Sequence, residues 1–560
     1  LPAALRTKRL WSRAARGGPW KLLLVAVLLW LVGYPLLLTL LEALGGPRAW
    51  TLAHFSAFFG RRDEWLALWH SVWISAASVV LAALLGVPLA FLFERTEFPG
   101  RRILAAIVAL PVALPPLVGV IAFLFLYGES GFVTRAVQVL AGAEQPPWRL
   151  AGPGAILLVH AYSMYVYFYL FTRAGLARLD GALLEAAAAL GAGRRRALLR
   201  VTLPLLRSSL GGAAVLVFMT SLASFSAPYL FGGSFRVMTT QIVASKLNGE
   251  IGLAQAETVM LAAIALAGLW ILRRTEAAER SATGVRGVAP ERRRLQSPAA
   301  RAAATAGGYL LAVLLLLPHA VLALVSFVPP FTWTAEAIPP VLNGSNWAGL
   351  VAQAEHLRPV VNSLWMATAA TLAALALGFG AARAATARGR LAALAEGLIG
   401  VPWVVPGTVF AVALATTFSV HQPLALRFVL IGTPFLLPLA YLLRDLPVTG
   451  RALLAGLRQL DPSLDEAAAS LGAGRWRRLA RVTLPLLRPA FAAAAGLAFI
   501  TALGDFIVSI VLYTYDTRPI SIEILSSLRL QDLGMASVYG VLLMVASTAA
   551  FLLWGRERTA

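Results

Sequence analysis

The chain has no cysteine, which excludes disulfides, thiolate metal sites and thiol nucleophiles. Lysine is almost as scarce. Lys8, Lys21 and Lys246 are the three present and none follows a glycine, so the glycine-rich phosphate-binding loop of an NTPase is absent and the chain is not its own nucleotide motor. No His-Glu-x-x-His helix occurs, and the histidines are scattered. His160 and His319 fall inside apolar runs, where they read as packed or hydrogen-bonded side chains rather than metal ligands. Acids are few as well: 26 Asp and Glu stand against 48 Lys and Arg, a formal net charge of +22. The basic residues sit in short blocks between apolar runs, which reads as membrane orientation signals and not as a nucleic-acid surface.

What remains is apolar. Hydrophobic residues make up 59% of 560 positions and the mean hydropathy is +0.76, too apolar for a soluble domain and matched to a helical membrane protein. Runs near 20 residues are predicted as spans at 20–41, 68–93, 103–127, 152–172, 209–232 and 253–272, and again at 307–328, 360–382, 391–418, 425–443, 490–513 and 533–554. The first, from Trp20 to Leu41 behind the basic run Arg6, Lys8, Arg9, Arg13 and Arg16, is longer than a signal-peptide core of about 7–15 residues and is read as a retained span. Arginines concentrate between spans four and five (Arg173, Arg178, Arg194, Arg195, Arg196, Arg200, Arg207) and between spans ten and eleven (Arg444, Arg451, Arg458, Arg475, Arg477, Arg478, Arg481, Arg488). By the positive-inside rule both connections, and both termini, are expected in the cytoplasm.

One stretch occurs twice. Residues 178–207 read RLDGALLEAAAALGAGRRRALLRVTLPLLR and residues 459–488 read QLDPSLDEAAASLGAGRWRRLARVTLPLLR, at a constant offset of 281. In each, Glu-Ala-Ala (Glu185, Ala186, Ala187; Glu466, Ala467, Ala468) is followed by two glycines (Gly191, Gly193; Gly472, Gly474) and a Leu-Pro pair ending in Pro204 or Pro485. Asp180 and Asp461 are natural N-caps and Pro462 suits the first helical position. A short helix is expected from there through the alanines to Gly191 or Gly472. A second is expected over 194–203 and 475–484, broken by the proline. Weaker matches extend the repeat: Leu110–Pro115 parallels Val401–Pro406, and His70-Ser71 parallels Asn362-Ser363. Six spans per half predicts two parallel repeats related by a pseudo-two-fold axis along the membrane normal, with a first half at 1–272, a flexible cytoplasmic linker at 273–306 and a second half at 307–560.

The double motif resembles the cytoplasmic EAA signature of ABC-importer permeases, the ferric-iron and thiamine class in which two halves share one chain. Val201 and Val482 stand where that family usually has Ile. The resemblance implies two ATPase subunits docked on the two elbows through Glu185, Ala186, Ala187, Gly191, Gly193 and Pro204 and their counterparts, with ATP and magnesium bound by those partners and no cofactor in this chain. It further implies an external substrate-binding protein and a place in the bacterial inner membrane. The tail Tyr513–Glu523 looks closer to the iron members.

Ionisable groups inside spans are default markers of a transport path. Asp505, in Thr501-Ala-Leu-Gly-Asp-Phe, has Ser224 as its repeat partner in Thr220-Ser-Leu-Ala-Ser-Phe, with Ser221 and Ser226 nearby. Two readings stand: an acid and hydroxyls facing a central path for a polar or cationic solute, or Asp505 hydrogen-bonding a neighbouring helix. The aromatic run 162–169 reads as helix packing and interface anchors, with path lining as the other reading, and the prolines of spans three and nine (Pro111, Pro115, Pro116, Pro402, Pro406) should bend their helices, consistent with a moving gate and with static packing. Thiamine, phosphonate or another small polar solute is the alternative cargo. An ion-driven secondary transporter leaves the twin elbows unexplained, and a membrane enzyme lacks a catalytic pair.

Overall fold

A computed structural model describes residues 18–46, 50–280, 292–333, 336, 338–387, 389–420, 422 and 425–555. The basic run at residues 6–16 and both chain ends lie outside them. Apart from a two-residue parallel pairing of Thr96–Glu97 with Arg293–Arg294, the described secondary structure is helical, as a bilayer demands of backbone groups that have no water to bond. Among the described residues, eight helices are long and apolar enough to cross a membrane, and three bent pairs raise the number to as many as 11.

The expected spans change where polar residues interrupt the apolar runs. The run at 425–443 is not a helix from its start: the chain turns through Gly432 at φ +80° and the helix is Leu436–Gln459, which carries Arg444 and Asp445 inward from the expected connection. Spans five and eleven are each cut in two. Arg207–Leu222 is followed by a break and Ser226–Phe231, and Arg488–Leu503 by a break and Ser509–Leu512. Span nine bends by 108° between Arg390–Val404 and Gly407–Ser419, where Pro406 withholds an N–H and disfavours helix at Val405. The linker expected over 273–306 is helical at both ends, because Ile251–Arg280 and Pro298–Val325 extend into it. Ser297 caps the latter by accepting from the Ala300 N–H.

The chain forms two compact units that do not follow its order. One comprises the described residues of Phe55–Ala354 with Glu523–Met544. In it Arg62–Arg95 lies along Gly152–Leu176 at a close crossing: a Cβ on Gly86 would fall 2.4 Å from the Tyr165 carbonyl. The aromatic run of the second helix is packing there. Tyr165 Oη donates to the Val108 carbonyl at 2.7 Å, Tyr162 Oη to that of Leu315 at 2.7 Å, and Phe93, Leu104, Tyr169, Ala312 and Leu315 share one core. The first helix of the second repeat, Pro298–Val325, thus packs on helices of the first.

The other unit comprises the described residues of Leu1–His54, Glu355–Ile522 and Val545–Ala560. Here Ala354–Ala385 crosses Leu436–Gln459 at Gly378, whose Cβ would sit 2.6 Å from Thr449 Oγ1. The first helix of the chain belongs to this unit, with Trp30 edge-on to Phe418 at 6.3 Å. A matching clasp recurs in both units. Ser71 Oγ accepts from the Met238 N–H at 2.7 Å and Ser363 Oγ from the Ile520 N–H at 2.8 Å, so the weak His70-Ser71 and Asn362-Ser363 match seats the short helices Met238–Leu247 and Ile520–Arg529.

Candidate functional site: two elbows and two polar breaks

Each repeated stretch folds into the same elbow. Asp180 accepts from the Ala182 N–H at 3.0 Å and Asp461 from the Ser463 N–H at 2.9 Å, which caps the helices Gly181–Ala189 and Pro462–Ser470. That backbone donor also holds the Asp461 carboxyl below the usual carboxylate range. At the other end Gly191 (φ +77°) and Gly472 (φ +79°) are left-handed. The Gly191 N–H donates to the Ala188 carbonyl and the Ala192 N–H to that of Ala187, both at 2.9 Å, and Gly472 and Ala473 repeat the pattern on Ala469 and Ala468 at 3.0 Å. These are Schellman closures. Open space surrounds a Cβ at either glycine, so the need for glycine lies in its backbone and not in packing.

Beyond the turn, Arg194–Ala197 and Arg475–Arg478 run into one wide π-helical turn, Leu198–Thr202 and Leu479–Thr483. The wide turn makes room for Pro204 and Pro485, which have no N–H to give. The proline does not end the helix, as the sequence led us to expect. The break comes two residues later, at Leu206 (φ −89°, ψ 0°) and Leu487 (φ −88°, ψ −1°), and the chain there turns by 65° and 67° into the next helix. Both hinge leucines are buried. Each is seated on a glycine of the preceding helix: a Cβ on Gly175 would meet Leu206 Cδ2 at 2.6 Å, and one on Gly456 would meet Leu487 Cδ2 at 2.9 Å. The sequence reading missed these seats. Their signal was present, since Gly175 and Gly456 obey the same offset as the motif.

The elbow tips present apolar surface. Leu190 is 88% and Leu471 89% exposed, and Trp476 83%, while Glu185, Ala186, Glu466 and Ala467 are exposed and Ala187 and Ala468 half-buried. These apolar side chains are left uncovered on a capped, arginine-flanked element. One ion pair distinguishes the copies: Arg478 Nη1 lies 2.7 Å from Asp465 Oδ2, and Ala197 and Leu184 occupy those places in the first elbow.

The path candidates sit at the two helix breaks. Asp505, 6% exposed at its side chain, accepts from Arg444 Nη1 at 2.6 Å and from the Val508 N–H at 2.8 Å. Arg444 reaches it past Gly407, where a Cβ would stand 2.6 Å from Nη1. Its side chain is 32% exposed. In the other unit Ser224 Oγ lies 2.9 Å from His160 Nε2, and Ser78 Oγ and Ser221 Oγ lie 2.9 and 3.2 Å from Nδ1. Ser78 spends its proton on the Ile74 carbonyl, so Nδ1 donates to Ser78 and Nε2 accepts from Ser224. Ser226 is buried at the start of Ser226–Phe231.

Residues 82–280 and 374–555 each match the family described as "Binding-protein-dependent transport system inner membrane component". The chain belongs to that family. It is 30% identical over 538 residues to a probable ABC transporter permease protein of Sinorhizobium fredii, across 94% of each chain. A ferric transport system permease protein of Actinobacillus pleuropneumoniae is 28% identical, across 86% of this chain and 70% of its own. A thiamine transport system permease protein of Brucella abortus is 30% identical across 45% of each. A solved bacterial ABC transporter that imports the acidic polysaccharide alginate has TM-score 0.37 and 17% identity, covering 45% of this chain and 94% of that one. The chain is therefore a multi-pass permease subunit of an ABC importer, with the family domain present twice.

Proposed function

We propose that this permease carries a small polar solute, ferric iron in first place, delivered by an external binding protein and driven by two ATPase subunits seated on its two elbows. The pair of closely matched, capped and exposed elbows carries this reading. One elbow is a loop; two, each joined to a span through a buried hinge leucine, are levers for a paired motor. ATP and magnesium belong to the partners, and the elbow contacts are Glu185, Ala186, Ala187, Gly191, Gly193 and Pro204 with Glu466, Ala467, Ala468, Gly472, Gly474 and Pro485. Both elbows and both termini lie on the cytoplasmic side of the inner membrane, in two six-helix halves at 1–272 and 307–560 that run in the same direction.

Asp505 lines the path in the second half, with Ser224, Ser221 and Ser226 in the first. Arg444 neutralises the acid at rest, and a passing cation competes with the guanidinium for it. Iron is favoured over thiamine because the ferric relative aligns with most of the chain and the thiamine relative with less than half. The test is uptake of labelled iron and of thiamine by the complex reconstituted with its ATPase and binding protein. ATP-dependent iron uptake supports the reading, thiamine uptake alone replaces the cargo, and solute movement by the purified chain without partners ends it.

A further inference from the structure

Next to Arg444 on the same helix stands Asp445, a second carboxyl that the path reading does not use. It is 2% exposed. Its Oδ1 lies 2.5 Å from Thr501 Oγ1, and its Oδ2 has no hydrogen-bond partner. Thr501 Oγ1 also lies 3.0 Å from the Leu497 carbonyl and 2.9 Å from that of Ala498. A hydroxyl has one proton. Given to either carbonyl, it leaves two bare oxygens facing each other at 2.5 Å, unless the carboxyl brings a proton of its own. Given to Asp445, it leaves a buried carboxylate with a single donor for about four lone-pair sites. The charge count agrees, for Arg444 is one cation between two acids and its hydrogen bond goes to Asp505.

We propose that Asp445 is a proton-binding site: it is held as the neutral acid, its O–H donating to Thr501 Oγ1, and its proton decides whether Arg444 stays on Asp505. When the proton leaves for water, Asp445 becomes a carboxylate whose charge acts on the neighbouring guanidinium. Two buried carboxylates then compete for one arginine. The crossing helix Ala354–Ala385 carries Glu355, His356 and Arg358 in its first turns and Arg383 in its last. The helix of Asp445 itself brings Tyr441, Arg444, Arg451 and Arg458, and Glu396 of Arg390–Val404 pairs with Arg458 at 2.7 Å. Arg390 and Arg488 stand at the starts of Arg390–Val404 and Arg488–Leu503, while Gly407–Ser419 and Ser509–Leu512 contain no ionisable residue. Asp505 is the acid that Asp445 answers to.

The effect on transport rests on the reading that Asp505 lines the path; the proton itself does not. Infrared spectra of the purified full chain at neutral pH test the proton directly. The carbonyl band of a protonated carboxyl should disappear in Asp445→Asn and move to higher frequency in Thr501→Val, which removes the acceptor. In Asp505→Asn the band should also be lost, because the freed Arg444 lets Asp445 ionise. Bands from carboxyls elsewhere in the chain cancel in these differences. If Asp445→Asn leaves the region unaltered, or, should that variant fail to fold, Thr501→Val does not displace any band, the proposal is overturned. The second arm is uptake against pH in the reconstituted complex, where ionised Asp445 draws Arg444 off Asp505, so that the wild type should gain rate as pH rises and Asp445→Asn should give a flattened profile. A band that behaves as stated beside a pH dependence shared by both proteins keeps the proton and removes Asp505 from the path.

Discussion

At the scale of single residues, the glycines that close the elbow helices and the acids at the breaks illustrate opposite kinds of legibility. Gly191 and Gly472 are needed for a left-handed backbone with open space around them, and a side chain there costs about 1–2 kcal/mol of local strain. Gly191→Val and Gly472→Val should insert normally yet lower substrate-stimulated ATP hydrolysis in the assembled complex, and unchanged stimulation would count against the elbows as levers. That requirement was readable because cap, alanines and glycine lie within a dozen residues of one another. The Arg444–Asp505 pair was not. The arginine had been counted among the connection's positive charges, and nothing in the local sequence says that a helix carries it to an acid 61 residues away. Asp505→Asn should lower thermal stability by about 2 kcal/mol, less than for a fully buried pair because Arg444 is 32% exposed; calorimetry of the detergent-solubilised chain measures it.

At the scale of elements, the hinge is a leucine held by a glycine and not a proline. The sequence placed the break at the Leu-Pro pair because proline is the usual helix breaker, and the wide turn over Leu198–Thr202 absorbs it instead. Replacing Gly175 or Gly456 by valine forces the seated leucine outward. Overpacking of this kind costs about 1–3 kcal/mol, and a spin-label distance from elbow to the following helix should shift with it, whereas Gly154→Val, at an open position of the same helix as Gly175, serves as the control for loss of glycine alone. The second elbow helix also responds to acid. Because the Asp461 carboxyl sits below its ordinary value, its cap is fully formed above that ordinary value and is lost as pH falls through the lowered one. Hydrogen exchange at the Ser463 amide should therefore stay slow through mildly acidic pH and quicken only below it. Exchange that quickens already on leaving neutrality would contradict the cap.

At the scale of the whole molecule, the repeat was plain in the sequence and the packing units were not. An offset reports ancestry of segments, while a unit is made by whichever apolar faces meet. Each repeat's opening helix, near Trp30 in one case and Leu315 in the other, meets the helices of the opposite repeat. Periodicity cannot assign a partner to an apolar stripe, so this exchange had no sequence signal. The interruptions of spans five and eleven were hidden for a related reason: Ser224 and Asp505 sit in runs whose average hydropathy still suits a bilayer.

That exchange bears on what would happen if the gene were cut. Severing the chain between residues 281 and 291 yields two polypeptides, each stranded without a helix its bundle depends on and each carrying one that its neighbour needs. Expressed singly, both should be degraded; expressed together, they should complement and co-purify as a stoichiometric pair. Accumulation of either fragment alone would show that the borrowed helix is dispensable.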